Sequence, residues 1–369
     1  MEPGHPSTRT PARHPAALPT VITSFPLPIT GVTVSRPTAL AVHLVSRPTG
    51  APTAANFAFV EEAVPALAEG QALVENIYQS VDPYMREEMD EGGWALHAPL
   101  EGRTLGRVVE SRTPALPVGA LVHHRRAWRT HSVVGAAEAW VVPDFDGVPL
   151  SAHLSVLGGT GLSAWVGLTR VARLQPGETI FISAAAGGVG SAAGQLARLL
   201  GAGRIVGSAG SAAKVKHLTE RLGFDAAFDH HDGPIADRLR EAAPGGLDVY
   251  LDNVGGDHLE GAIAALRDHG RIAWCGAVAQ YNHLQDPPAA PRNLYDVVGK
   301  SLRLEGFLVR NHLDARPELY DFLVPHLRSG AVVPDETVVR GFENVVDAFL
   351  GMLRGANTGK MIVQLTDAP

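Results

Sequence analysis

The stretch Thr179-Ile-Phe-Ile-Ser-Ala-Ala-Ala-Gly-Gly-Val-Gly-Ser-Ala-Ala-Gly-Gln-Leu-Ala-Arg-Leu-Leu200 decides the fold. It reads as a buried strand (Thr179–Ser183), a glycine turn and an amphipathic helix in direct succession. A turn this tight aims the first amides of the helix, and the positive end of its dipole, at an anion. The ligand such a turn suits best is the pyrophosphate of a dinucleotide. In the spaced-glycine fingerprint the three positions read Ala185, Gly187 and Gly190, with Gly188 and Val189 completing the turn. A purely structural βα turn would share these glycines. The strand before and the helix after supply the context that the fingerprint requires.

Outward from this turn, strand-like and helix-like runs alternate. Arg204–Ser208, Leu247–Asn253, Arg271–Cys275 and Leu302–Val309 read as strands. Gly190–Leu200, Ala212–Leu222, Pro234–Ala243 and Gly256–Leu266 read as helices. The alternation predicts an α/β fold, a Rossmann-type doubly wound parallel sheet over residues 157–330. Upstream, Ala39–Val45, Gln71–Tyr78, Arg107–Ser111 and Trp140–Pro143 are short β-type runs bounded by Pro and Gly, so residues 38–156 are expected to form a second, mostly β domain. Downstream, Val332–Pro334, Asn344–Arg354 and Met361–Leu365 read as strand, helix and strand, with residues 331–369 returning to that domain.

The chain has 369 residues, 45% hydrophobic and 19% charged, enough for two sizeable cores. A net charge of -7 without a basic run argues against nucleic acid as a partner. No apolar stretch of about 18 residues is present, so no membrane partner is expected. The single cysteine, Cys275, rules out an internal disulfide framework and suits a reducing cytoplasm. Residues 1–37 carry Pro3, Pro6, Pro11, Pro15, Pro19, Pro26, Pro28 and Pro37 with little apolar periodicity. Such a segment buries too little surface to offset its ordering entropy and reads as a disordered extension. Its prolines oppose the amphipathic helix of a transit peptide, and it lacks the apolar core of a secretory signal.

The end of the second strand of the parallel sheet chooses the cofactor. A carboxylate about 20 residues after the turn would bind the ribose 2′-hydroxyl of NAD. Ala209 stands there, and no Asp or Glu follows before Glu220. Gly210, Ser211 and Lys214 offer amides, a hydroxyl and a cation to a 2′-phosphate, which favours NADP; Lys214 could equally be a solvated helix lysine.

With these residues in view, the chain from about Val45 to Leu365 resembles the medium-chain dehydrogenase/reductase superfamily. Within it the similarity is to the zinc-independent branch of prostaglandin reductases, alkenal double-bond reductases and curcumin-reductase-like enzymes. The motifs that carry it occur in the family's order. They are Ser46-Arg-Pro-Thr-Gly-Ala-Pro-Thr53, Tyr78-Gln-Ser-Val-Asp-Pro-Tyr-Met-Arg86, Gly158-Gly-Thr-Gly-Leu-Ser-Ala-Trp-Val-Gly-Leu168 and Leu251-Asp-Asn-Val-Gly-Gly256. Gly270–Asn282, Glu305–Val309 and Gly355–Lys360 complete the set.

The resemblance implies a cofactor held between the two domains and a homodimer joined through the nucleotide domain. Carried over by position, it implies that Gly187, Gly190, Lys214, Asn253, Cys275 with Gly276, Tyr281, Phe307, Leu308, Asn357 and Gly359 line NADP. It sets Ser163 near the nicotinamide, where the branch has threonine. It implies that Tyr78, Tyr84 and Met85 border the substrate. Asp82 and Arg86 read as an internal ion pair that shapes their loop. Cys275 reads as a packing thiol beside the cofactor, not a nucleophile. Three positions depart from the pattern: Thr160 replaces proline, Trp165 replaces tyrosine, and His230 stands where relatives often have tyrosine. His230 can reinforce a phosphate when protonated or simply lie on the surface.

No metal is expected. Zinc-dependent relatives carry a cysteine where this chain has Ser80–Pro83 and a G-H-E motif where it has Leu100–Gly106. Adjacent histidines on a strand face opposite ways, so neither His123-His124 nor His230-His231 alone makes a site. Without a Lewis acid, reduction of an activated double bond fits better than alcohol oxidation. The expected activity is NADPH-dependent reduction of an α,β-unsaturated ketone or aldehyde, with the hydride going to the β-carbon. Tyr281 is the candidate donor to the enolate oxygen; cofactor positioning or packing is its other reading. Two alternatives stay open: an NADPH:quinone oxidoreductase, against which the Val81–Arg86 and Tyr281-Asn282 segments argue, and a non-catalytic NADPH-binding protein.

Overall fold

A computed structural model describes residues 38–282, 289 and 291–366. The proline-rich segment expected to be a disordered extension lies outside the described residues.

The parallel sheet forms where both faces of a strand are apolar. Its strands are β8 (Thr179–Ile182), β9 (Arg204–Ala209), β10 (Ala226–Asp229), β11 (Leu247–Asp252), β12 (Leu266–Trp274) and β13 (Arg303–Gly306). Side chains alternate across it. Ile180, Ile182, Val249 and Leu251 enter one core, while Phe181 and Tyr250 enter the other, stacked with ring centroids 4.9 Å apart. The helices α1 (Gly159–Val166), α2 (Gly188–Leu199), α3 (Ala212–Glu220) and α7 (Arg316–Arg328) contribute to the first core. The helices α4 (Ile235–Ala242) and α5 (Gly256–Ala265), with α6 (Tyr295–Gly299), cover the second. Burial on both faces is why these strands read as unbroken apolar runs.

The strand order is β10-β9-β8-β11-β12-β13, all parallel. Chain direction across the sheet reverses between β8 and β11, and ligands of such sheets bind beyond the carboxyl ends of the strands at that point.

The second sheet has the order β14-β15-β3-β4-β5-β7, with β6 also on β3. Its strands are β3 (Gln71–Ser80), β4 (Thr104–Ser111), β5 (Leu121–His124), β6 (His131–Gly135), β7 (Ala139–Val141), β14 (Glu336–Arg340) and β15 (Lys360–Gln364). β1 (Thr38–Leu44) and β2 (Phe57–Ala63) form a separate antiparallel pair. The helix α8 (Val345–Leu353) packs its apolar face into the core around Trp128, Phe57 and Met85. β15 pairs antiparallel with β3. The strand expected at Val332–Pro334 lies at Glu336–Arg340 instead. Val332 is buried, but against the parallel-sheet core, and Gln195 hydrogen-bonds both backbone groups of Val333.

Close packing of α2 on the sheet limits what Gly194 can become. A Cβ there would lie 2.2 Å from the Phe224 ring, whereas a Cβ at Gly299 would meet nothing within 4 Å. Gly194→Ala is expected to destabilise the protein by about 1–3 kcal/mol through overpacking. Gly299→Ala should leave the melting temperature unchanged or slightly raised. Thermal unfolding of the two variants beside the parent checks this.

Candidate active site

Every strand of the parallel sheet ends at one cleft of about 1810 Å³. The turn after β8 supplies Gly187, Gly188, Val189 and Gly190 to its wall. Gly210 follows β9 and His230 follows β10; Asn253 follows β11, Cys275 and Gly276 follow β12, and Phe307 and Leu308 follow β13. Ser163 on α1, Lys214 on α3, Tyr281, Asn357 and Gly359 complete the part of the wall that the sequence had marked. Ser211 is not part of the wall.

The glycine turn has the chemistry an anion needs. Gly187 is the N-cap of α2, no side chain caps the helix, and no acid occupies its first turn. The first amides of α2 therefore have no intrahelical partner and stay available to a phosphate. Gly190 cannot carry a side chain, because a Cβ would lie 2.5 Å from Ala184 O and from Ala185 Cα. The alanine at the first fingerprint position is matched by a glycine across the sheet: a Cβ on Gly207 would sit 2.9 Å from Ala185 Cβ. Ala184 takes a left-handed conformation, φ 47°, to make the turn.

A buried network holds the two strands at the switch point. Asp252 Oδ1 accepts from the Tyr250 hydroxyl at 2.6 Å and from the amides of Val254 and Gly255 at 2.8 Å. Asn253 donates its amide to Ser183 Oγ at 2.9 Å and its side chain to Ser183 O at 2.8 Å. Burial pushes the Asp252 carboxyl upward. The next strand is tied in as well, since the amide of Cys275 donates to Asp252 O at 2.8 Å. Burial pushes the Cys275 thiol up to about 12, which keeps it protonated. The fingerprint residues pointed to this corner, but no spacing in the sequence pairs Ser183 with Asp252.

At the far end of the cleft no carboxylate follows Ala209. Ser211 caps α3, its hydroxyl accepting from the Lys214 amide at 3.3 Å, which explains why it does not face the cleft. Lys214 Nζ donates to Gly355 O at 2.7 Å, bridging α3 to the C-terminal segment beside the cleft. Desolvation lowers its pKa from the usual lysine range. A glycine-lined floor, uncapped α2 amides and an acid-free α3 start with Lys214 beside it fit a dinucleotide that carries an extra phosphate.

The opposite wall comes from the Val81–Arg86 loop and the C-terminal return. Asp82 does not pair with Arg86; that expectation is corrected. Arg86 binds Asp90 at 3.0 Å and Gly50 O at 2.9 Å. Asp82 instead faces Arg103 at 3.2 Å and Lys360 at 3.4 Å, and accepts the Ser80 hydroxyl at 2.7 Å. Burial disfavours its charge, but Lys360, Arg103 and Ser80 together outweigh burial and hold Asp82 at about 2. Burial lowers the Lys360 pKa, with Arg103 acting in the same direction, and outweighs the opposing carboxylates of Asp82 and Glu336.

Of the three residues expected at the substrate, Tyr84 lines the cleft, with the Arg103 guanidinium 5.5 Å from its ring centroid. Tyr78 and Met85 do not. Met85 is fully buried in the core around Trp128, and Tyr78 packs beside Leu105, Leu154 and Ile362. Trp165 also lies in a core, against Phe322 at 4.9 Å, and is not part of the cleft wall. Thr160 does reach the site. Its hydroxyl donates to Ser155 O at 2.8 Å, and its methyl abuts the position of Gly188.

Tyr281 stands beside Gly276, where a Cβ would be 3.4 Å from its hydroxyl. Burial, and then Glu87, push its phenol up to about 12, so it remains a donor. Sequence reasoning missed His123, His153 and Trp140, which also line the cleft; no motif marks them. His123 stacks on Trp140 at 4.2 Å, and burial pushes His153 down to about 4. His124, on the other face of β5, is satisfied by Asn76 at 3.0 Å and the Arg126 amide at 3.1 Å. Among the described residues no three His, Cys, Asp or Glu side chains are grouped as a metal site would need. No helix is long and apolar enough to cross a membrane among the described residues.

Comparison with known proteins shows the family and the fold. Residues 41–142 match the family model for the N-terminal domain of oxidoreductase, and residues 188–324 the one described as zinc-binding dehydrogenase. Prostaglandin reductase 1 of Mus musculus is 39% identical over 322 residues, 85% of this chain and 95% of that protein. An NADP(+)-dependent 2-alkenal reductase of Nicotiana tabacum is 36% identical over 80% of this chain and 87% of its own length. The crystal structure of CurA in complex with NADPH from Vibrio vulnificus superposes with a TM-score of 0.84 at 31% identity. It covers 89% of this chain and all of that one (100%).

The charge cluster predicts an acid-dependent stability. Asp82 is held at about 2, whereas an unfolded aspartate titrates near ~3.9. Its contribution is therefore complete above about pH 4 and lost as pH falls toward about 2, roughly 2.5 kcal/mol in all. Urea unfolding at a series of pH values should show this loss in the parent and not in Asp82→Asn. At neutral pH that variant should be less stable by about 3–5 kcal/mol, since it leaves Lys360 and Arg103 buried without their anion.

Proposed function

This chain belongs to the medium-chain dehydrogenase/reductase superfamily, in the branch of the prostaglandin, alkenal and curcumin reductases, and is an NADP-dependent oxidoreductase. On that premise we propose that it reduces the carbon–carbon double bond of α,β-unsaturated ketones or aldehydes. In this reading residues 38–156 and 331–369 form the substrate domain and 157–330 the cofactor domain, in a cytoplasmic homodimer that works without zinc.

The observation that carries the proposal is Tyr281, a protonated phenol in the cleft beside Gly276. Bound NADPH supplies a hydride for the β-carbon. Negative charge then develops on the substrate carbonyl oxygen, and a preorganised donor lowers the energy of that enolate most. The Tyr281 hydroxyl is such a donor and stays neutral through the physiological range. Tyr84 and Trp140 line the same cleft, each with a guanidinium over its ring, Arg103 and Arg316 respectively. Gly187, Gly188, Val189 and Gly190 hold the pyrophosphate on the α2 amides. Gly210 and Lys214 receive the 2′-phosphate, with Ser211 fixing the α3 start. Asn253, Cys275, Gly276, Phe307, Leu308, Asn357, Gly359 and Ser163 shape the remainder of the cofactor channel. The protonated Cys275 acts there as a packing group, not a nucleophile.

Tyr281→Phe is expected to lower kcat for enone reduction on the order of tenfold or more, while the dissociation constant for NADPH barely changes. Steady-state kinetics with a small enone, beside fluorescence titration of NADPH, checks both halves. Undiminished turnover in the variant removes Tyr281 from the mechanism. Faster NADPH oxidation with a simple quinone than with any enone would favour quinone reduction instead.

A further inference from the structure

At the end of the cleft beyond Gly210 lies a cluster of imidazoles that the reading above leaves without a role. His230 follows β10 and lines the cleft together with Gly210 and Lys214. Its Nε2 is 3.2 Å from where a Cβ on Gly210 would be, so the ring leans over the loop that ends β9. The His231 ring lies 3.9 Å from it, centroid to centroid, and the His258 ring of α5 lies 5.5 Å away. Three imidazoles and Lys214 thus converge, and the one carboxylate among them, Asp229, is already engaged by His231 at 2.8 Å.

The other titratable and charged groups along this wall come from α5 and α4: Asp257 lines the cleft, and Glu260 pairs with Arg292 at 2.8 Å. His258 is held by Ser208 Oγ at 3.1 Å, and burial pushes it down to about 4. On α4, Asp237 pairs with Arg240 at 2.8 Å and Arg238 with Glu241 at 2.9 Å. Lys214 faces the same corner from α3. In the free protein burial lowers the His230 pKa, with His231 and Lys214 acting in the same direction and Asp229 opposing them. A dianion placed over Gly210 reverses that balance. It adds two negative charges to the single carboxylate of Asp229, at a position where the ring nitrogen can donate to it.

We propose that His230 is a specificity-determining residue for the 2′-phosphate: its imidazole takes up one proton from solvent when NADPH binds and none when NADH binds. Affinity for NADPH then depends on pH while affinity for NADH does not, and the preference for the phosphorylated cofactor grows toward acid. The proposal rests on the assignment of NADP to this cleft and is independent of what the hydride reduces.

Calorimetric titration of the full-length protein with NADPH, near ~pH 7.5 in two buffers of different ionisation heat, counts the protons directly. At that pH the phosphate is itself a dianion, its second pKa being about 6. Uptake of roughly half a proton or more per NADPH is expected, with a dissociation constant that weakens about three- to tenfold between about pH 7 and 8.5. NADH should bind with no uptake, and His230→Gln should abolish the uptake with NADPH while His231→Gln retains it. Absence of uptake in the parent overturns the proposal without any variant, and so does uptake that persists in His230→Gln or disappears in His231→Gln. Failure to bind NADPH at all would overturn the cofactor assignment together with it, whereas an inactive protein that binds NADPH with proton uptake would leave this proposal standing.

Discussion

The contact on which the site depends is the buried charge cluster at the C-terminal return. Lys360 opens β15, which pairs with β3 and so belongs to the sheet of the first domain. Its ammonium donates to the carbonyls of Val81 and Met361 and faces Asp82, all of them out of water. One residue earlier, the Gly359 amide donates to Ala186 O at 2.8 Å, inside the cofactor turn. Two adjacent residues therefore bind the glycine turn of one sheet to the Val81–Arg86 loop of the other. Placing these charges in an apolar interior is expensive, and removing Asp82 takes from Lys360 and Arg103 the carboxylate that both face. The cluster is accordingly a positional device more than a source of net stability: it fixes the Val81–Arg86 loop against the glycine turn.

The parallel sheet solves the complementary problem. Its order brings the ends of β8 and β11 side by side, and Asp252, Tyr250, Ser183 and Asn253 lock them together through buried hydrogen bonds. With those ends fixed, the loops after β8, β9, β11 and β12 can be short and glycine-rich, and backbone amides can approach a ligand closely. Chemistry then needs few side chains. One neutral phenol, held above its usual pKa by burial, is a better enolate donor than a group that would ionise at working pH.

Much of this was legible in the sequence. Strands buried on both faces announced themselves as apolar runs, and the fingerprint segment predicted both the turn and the helix it begins. β10 was not legible, because Ala226-Ala-Phe-Asp229 is too short and too poor in β-branched residues to stand out. β14 was placed four residues early, because Val332 is apolar yet serves the other core. The misread ion pair has a clear physical reason. Asp82 and Arg86 are four apart, a helical spacing, but Asp82 is the extended N-cap residue of a 3-10 turn, and its partners lie at Arg103 and Lys360. Long-range charge pairs leave no local pattern. Tyr78 and Met85 fell to the same limit. A motif ties residues together along the chain, whereas alternation on β3 and the tight turn after it send these two side chains into cores while Tyr84 reaches the cleft.

The central claim is that the hydride goes to the β-carbon, not to the carbonyl carbon, and the label that it carries tests this most directly. The protein is supplied with NADPH deuterated at C4 of the nicotinamide, in both stereospecific forms, and with an open-chain enone, and the product is read by NMR. The account predicts a saturated ketone with deuterium on the β-carbon from one of the two forms. Deuterium on the carbinol carbon of an allylic alcohol would contradict it.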